Sequence, residues 1–155
     1  MVSASTIRAA KAKAPKVRAI SGVSASVRVE AADASKPARI SIVANTGGAM
    51  RLGGFDLPVV IDMAGVVLPG TVPIVADHVV SMATLAGEGT PKVSGNSITV
   101  EGVLARGVPL AERAIALSKS GVKIEASVGG PAPRLEIVEE GESVSVNGSS
   151  FDGPL

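Results

Sequence analysis

The chain has 155 residues, enough for one domain with a substantial core. Fifteen basic against fourteen acidic residues leave a net charge of +1, which removes general electrostatic attraction to nucleic acid as the main basis of partnership. Zero cysteines exclude disulfides, thiol nucleophiles and thiolate metal sites; with a single histidine no metal site is expected, and no cofactor.

Apolar residues make up 46% of the chain, yet Phe55 and Phe151 are its only aromatics. The core must therefore be built from Val, Ile, Leu and Ala, and the base-stacking route to nucleic acid is closed as well. No stretch has the apolar length of a membrane span, and the N-terminus lacks the apolar middle of a secretory signal. The chain reads as cytosolic, without a membrane partner.

In chain order, Arg8, Lys11, Lys13, Lys16 and Arg18 crowd among alanines with no acidic residue before Glu30. Residues 1–18 are expected to be a flexible basic arm, either a solvated tail or a docking or removable segment, and 19–155 a single domain. Val23, Ala25, Val27 and Val29 alternate with polar residues, the period of a half-buried strand, and 39–43 repeats that pattern. Residues 46–48 and 53–54 supply turns; 57–61 is a further strand candidate, prolonged over 63–68 and ended by Pro69 and Gly70. Residues 72–80 form an apolar run with His78 towards its end.

Further on, 81–88 reads as a short extended segment, 89–91 and 94–96 as turn material, and 97–104 as a strand. Over 108–119 the period becomes helical: Leu110, Ala111, Ala114, Ile115 and Leu117 make an apolar stripe, Pro109 suits the first turn and Gly121 the C-terminal cap. Strand patterns return at 122–128, 134–138 and 143–146, separated by Gly129, Gly130 and Pro131 and by Glu140 and Gly141. Several strands with one clear helix predict an α+β domain with a mostly antiparallel sheet.

Two residues carry the chemistry. Imidazole, with an ordinary pKa of about 6.5, is the one side chain here able to accept and return a proton near neutrality without a large environmental shift. His78 is thus the general base if the protein is an enzyme, and a satisfied half-buried histidine if it is not. Serines are abundant, so position must separate them. Ser127 ends an apolar strand just before Gly129 and Gly130, where backbone N–H groups can turn towards a developing oxyanion. The same glycines also read as a plain loop. Ser149 and Ser150, beside Asn147 and Gly148, read as turn residues.

The order of Asp77 and His78, a strand ending at Leu104, a helix over 110–117, and the stretch from Gly121 through Ser127 to Gly129 resembles the prohead proteases of tailed bacteriophages. In that family a histidine in an Asp-His context precedes a serine in a Ser-hydrophobic-Gly context by about fifty residues, with a strand and a helix between. Here the interval is 49 residues. The likeness covers about residues 57–155. It implies a fold like that of the herpesvirus assembly proteases, a β-barrel-like sheet flanked by helices. It also implies Ser127 as nucleophile, His78 as base and then acid, and the N–H groups of Val128 and Gly129 as the oxyanion hole. The implied substrates are phage scaffold and major capsid proteins, with self-cleavage and oligomerisation allowed, inside the assembling procapsid in the bacterial cytoplasm.

The family also has a third residue that orients the base, commonly on a strand after the serine. Residues 151–155 read as the lead into such a strand, so the domain is expected to be incomplete at its C-terminus and proteolysis by this chain weak or absent. Glu125, Glu136 and Asp152 are the acidic candidates within the chain. Asp77 diverges from its neighbour on a strand, and Lys123 shares a face with Ser127 but about 13 Å away. The competing reading is a non-catalytic capsid-associated or scaffold module in which His78 and Ser127 only pack. A third is nucleic-acid binding through the arm.

Overall fold

Ile40, Ile42 and Ala44 alternate with Arg39, Ser41 and Val43, and the chain there is a strand with the first set buried. The computed structural model describes residues 26–30, 35–51, 55–127, 129, 131 and 134–155. Along them run β1 (Ser26–Glu30), β2 (Ala38–Asn45), β3 (Val72–Val75), β4 (Leu85–Ser94), β5 (Ser97–Leu104), α1 (Pro109–Lys119), β6 (Ser143–Val146) and β7 (Ser149–Asp152). A short 3-10 helix, Met63–Gly65, precedes β3.

The main sheet has the order β1-β2-β5-β4-β3 with every pair antiparallel, and β6 and β7 form a separate hairpin. One helix with a mostly antiparallel sheet is the expected α+β class. The barrel-like closure implied by the family likeness is not there: the sheet is open, with β1 and β3 as its edges. Strand β3 is four residues long and carries Pro73, which has no N–H to offer a further ladder. The basic arm at 1–18 lies outside the described residues.

Helix α1 covers one face of the sheet. Its Ala111 and Ile115 join Ala38, Ile40, Ile42, Ala44, Ala86, Val100 and Leu104 in one cluster, so the core is made of small and branched side chains. The opposite face is polar, with Ser41 donating to Glu101 across β2 and β5 at 2.6 Å. Pro109 opens the helix where its missing N–H costs nothing, and Glu112 reaches back to accept from Gly107 N–H at 3.0 Å. Gly121, at φ 78°, closes it: Val122 N–H bonds Leu117 O and Gly121 N–H bonds Ser118 O, the paired bonds of a Schellman end.

Several local expectations are corrected. Residues 57–61 join no strand; a lone bridge links Val59 to Met50, and Asp62 then caps the 3-10 helix through Ala64 N–H. Residues 89–91 are not a turn but the middle of β4. Gly89 lies opposite Gly102, where a Cβ on Gly102 would come 2.7 Å from Gly89 Cα and against Glu88 O, so glycine here permits close strand approach. Pro91 lies beyond Gly89, the last residue of β4 that β3 pairs, where that side of β4 has no ladder to break.

Residues 81–84 are a turn, with β4 starting at Leu85. The described parts of 122–128 and 134–138 enter no ladder. Ser149 and Ser150 are strand residues of β7, which pairs with β6 about the Asn147-Gly148 turn. Of residues 151–155, Phe151 and Asp152 belong to β7, and Leu155 exchanges two main-chain hydrogen bonds with Val138.

Candidate active site

His78 does not end a strand. Strand β3 stops at Val75, and Asp77 and His78 form the centre of a turn closed by Val79 N–H to Ala76 O at 3.2 Å. Both have left-handed backbones, φ 54° and 56°, as a two-residue turn of the primed type requires. Asp and His are among the non-glycine residues that tolerate this region best, although each still costs of order 1–3 kcal/mol. The turn swings the imidazole away from the line of β3. Ile74 and Val72, four and six residues before His78, pack on the helix–sheet core and hold the base of the turn.

Ser127 reaches the same place from the other side of the helix. After the Schellman end the chain runs extended, with Lys123, Glu125 and Ser127 exposed and Ile124 and Ala126 half-buried. Lys123 and Glu125 pair at 3.7 Å on the outer side, and Ala126 packs against the core cluster. The residue immediately before the serine is therefore seated on the same core as β3.

The result is a contact of 2.5 Å between His78 Nε2 and Ser127 Oγ, across 49 residues of sequence. This is shorter than an ordinary hydrogen bond between nitrogen and oxygen. With a neutral imidazole carrying its proton on Nδ1, the serine hydroxyl donates to Nε2, the arrangement that prepares an alkoxide-like nucleophile. Both side chains are exposed, so a substrate can reach them. Val79, Val80 and Met82 also stand exposed just after the histidine and give the site an apolar border.

Of the two residues expected to form the oxyanion hole, Val128 lies outside the described residues. Gly129 lies beside the histidine: a Cβ there would be 3.2 Å from Nδ1 and 3.7 Å from Cε1. Among the described residues no side chain bonds Nδ1. Glu125 is paired with Lys123 and Glu136 with Arg134, at 3.7 and 3.3 Å, and the carboxylates of Asp77 and Asp152 make no contact with the ring. Nor do three His, Asp or Glu side chains come together among those residues as a metal site would need.

No protein-family model, curated protein or solved structure matches this chain. The site's geometry therefore carries the functional argument. Among the described residues no helix is long and apolar enough to cross a membrane.

One part of the site escaped the sequence reading. The connection from β3 to β4 is tied by Thr84 and Ser81, residues with no motif to mark them. Their role follows from a turn geometry that hydrophobic periodicity does not encode.

Proposed function

We propose that this protein is a serine endopeptidase of the prohead type, with Ser127 as nucleophile and His78 as general base and then general acid. The observation that carries the reading is the 2.5 Å contact between His78 Nε2 and Ser127 Oγ. As Oγ attacks a peptide carbonyl, Nε2 takes its proton; the imidazolium then returns a proton to the leaving amine, and water releases the acyl group by the same relay. Gly129 N–H, with that of Val128, is the assigned source of oxyanion hydrogen bonds. The substrates proposed are scaffold and major capsid proteins of an assembling phage head, within the procapsid of the host cell, with cleavage of the chain itself included.

The test is labelling of the purified chain by a fluorophosphonate probe, with the modified residue located by mass spectrometry. Labelling at Ser127 that is lost in Ser127→Ala and in His78→Ala supports the peptidase. A folded protein that takes no label at Ser127 sinks it, and leaves the non-catalytic capsid-associated module as the reading.

A further inference from the structure

The short contact to Ser127 needs an imidazole held at a fixed angle, yet no carboxylate among the described residues holds its Nδ1. The restraint lies instead in the backbone on which His78 stands. Thr84 closes that backbone. Its main-chain O accepts from Ala76 N–H at 3.0 Å, just before the left-handed pair, and its hydroxyl donates to Val79 O, just after it. Val79 N–H is already bonded to Ala76 O, so the residue following the histidine is fixed at both main-chain groups.

The hydroxyl is itself aimed. A threonine has one proton to give. Ser81 N–H donates to Thr84 Oγ1 at 3.1 Å and the two hydroxyls share a hydrogen bond at 2.9 Å, while the acceptors that face Thr84 Oγ1 are Val79 O and, farther off at 3.2 Å, Ser81 O. Ser81 O in turn accepts from Thr84 N–H and Leu85 N–H at 3.2 and 3.0 Å, which fastens the loop to the first residue of β4.

We infer that Thr84 is a positioning residue for His78: through Val79 and Ala76 it sets the angle of the imidazole towards Ser127, the task that an orienting side chain performs in a three-residue site. This rests on the reading of His78 as the base of a serine nucleophile. It also gives a reason for the left-handed pair. A strained turn keeps its shape only when its surroundings over-determine it, and here the hydrogen bonds of Thr84 and Ser81 do so. A misplacement of an ångström at a catalytic group is enough to cost about a hundredfold in rate.

The experiment compares the full chain with Thr84→Val, which keeps shape and loses the hydroxyl, and with Thr84→Ser, which keeps the hydroxyl. Two readouts are taken: the rate of fluorophosphonate labelling at Ser127, and the ring nitrogen resonances of His78, which are unambiguous because the chain has one histidine. In Thr84→Val labelling should slow by about tenfold or more, with ring resonances displaced towards those of Ser127→Ala, and Thr84→Ser should restore both. A folded Thr84→Val with wild-type labelling and wild-type ring resonances overturns the inference. If Thr84→Val does not fold, Ser81→Ala, which frees the Thr84 hydroxyl to turn away from Val79, carries the test, and wild-type ring resonances there overturn it equally. A wild-type protein that takes no label but whose ring resonances move in Thr84→Val separates the two ideas: the peptidase reading fails and the positioning role stands.

Discussion

Gly129 lies beside the His78 ring whose Nε2 contacts Ser127, so close that a Cβ on it would be 3.2 Å from Nδ1. The imidazole is thus held between a hydroxyl on one nitrogen and a glycine Cα near the other. A methyl group at that position is tight against the ring, which must give by a few tenths of an ångström, and the same ring's Nε2 is in contact with Ser127. Gly129→Ala should therefore slow probe labelling by about tenfold or more, while the melting temperature of this exposed position changes little. Labelling as fast as wild type, in a protein carrying alanine at 129, would show that the ring is not constrained on this side.

The neighbouring carboxylate is a contrast. Asp77 precedes His78 and is exposed, and among the described residues its side chain makes no hydrogen bond or ion pair. Asparagine takes the same left-handed backbone equally well. Asp77→Asn should then label within about twofold of wild type, since surface changes away from a specific partner are usually small. A large loss would reveal that the Asp77 charge, rather than its backbone, supports the histidine.

Much of the scaffold could be read in advance. Strand β5 and helix α1 fall almost where the periodicities of two and 3.6 place them, because one face of each is packed on a single core of Ile, Val, Leu and Ala. What failed did so where the decisive quantity is a pairing between distant strands. Gly89 and Pro91 carry the local signature of a turn, but Gly102 opposite and the early stop of β3 make them strand residues. Likewise the run from Val72 to Val80 reads as one apolar strand, and only the tie between Ala76 and Thr84 shows that it turns at Asp77. The meeting of His78 and Ser127 followed from a family pattern, not from any spacing rule of helix or strand.

The core prediction concerns Leu104 of β5 and Ile115 of α1, which belong to the same buried cluster and are 1% and 3% exposed. Truncation of either leaves a cavity that a sheet pinned on both sides of β5 cannot collapse around. Leu104→Ala and Ile115→Ala should each cost about 2–5 kcal/mol in denaturant unfolding. Because Val72, Ile74 and Ala126 pack on the same cluster, partial unfolding and loss of labelling should occur together along the denaturant series. Labelling that persists well past the unfolding midpoint would mean that the two halves of the site do not depend on this core.

A last prediction separates the site from the far end of the molecule. Asn147, left-handed at φ 55° in the β6–β7 turn, accepts from Met63 N–H at 2.9 Å and donates to Ile61 O at 2.8 Å and Gly47 O at 3.1 Å. Its own carbonyl accepts from the Asn96 side chain in the β4–β5 turn. One side chain and its peptide thereby join the β2–β3 connection, at two places, and the β4–β5 turn to the C-terminal hairpin. Asn147→Gly keeps the backbone conformation at no steric cost and removes only the side-chain bonds, so the loss it produces measures the clamp itself. At about 1 kcal/mol net for each bond, a destabilisation of about 2–3 kcal/mol is expected in equilibrium unfolding. None of these contacts involves the β3–β4 connection or the segment leading to Ser127. The folded variant should accordingly label at Ser127 as fast as wild type; a labelling defect in the native protein would show that the hairpin clamp reaches His78 and Ser127.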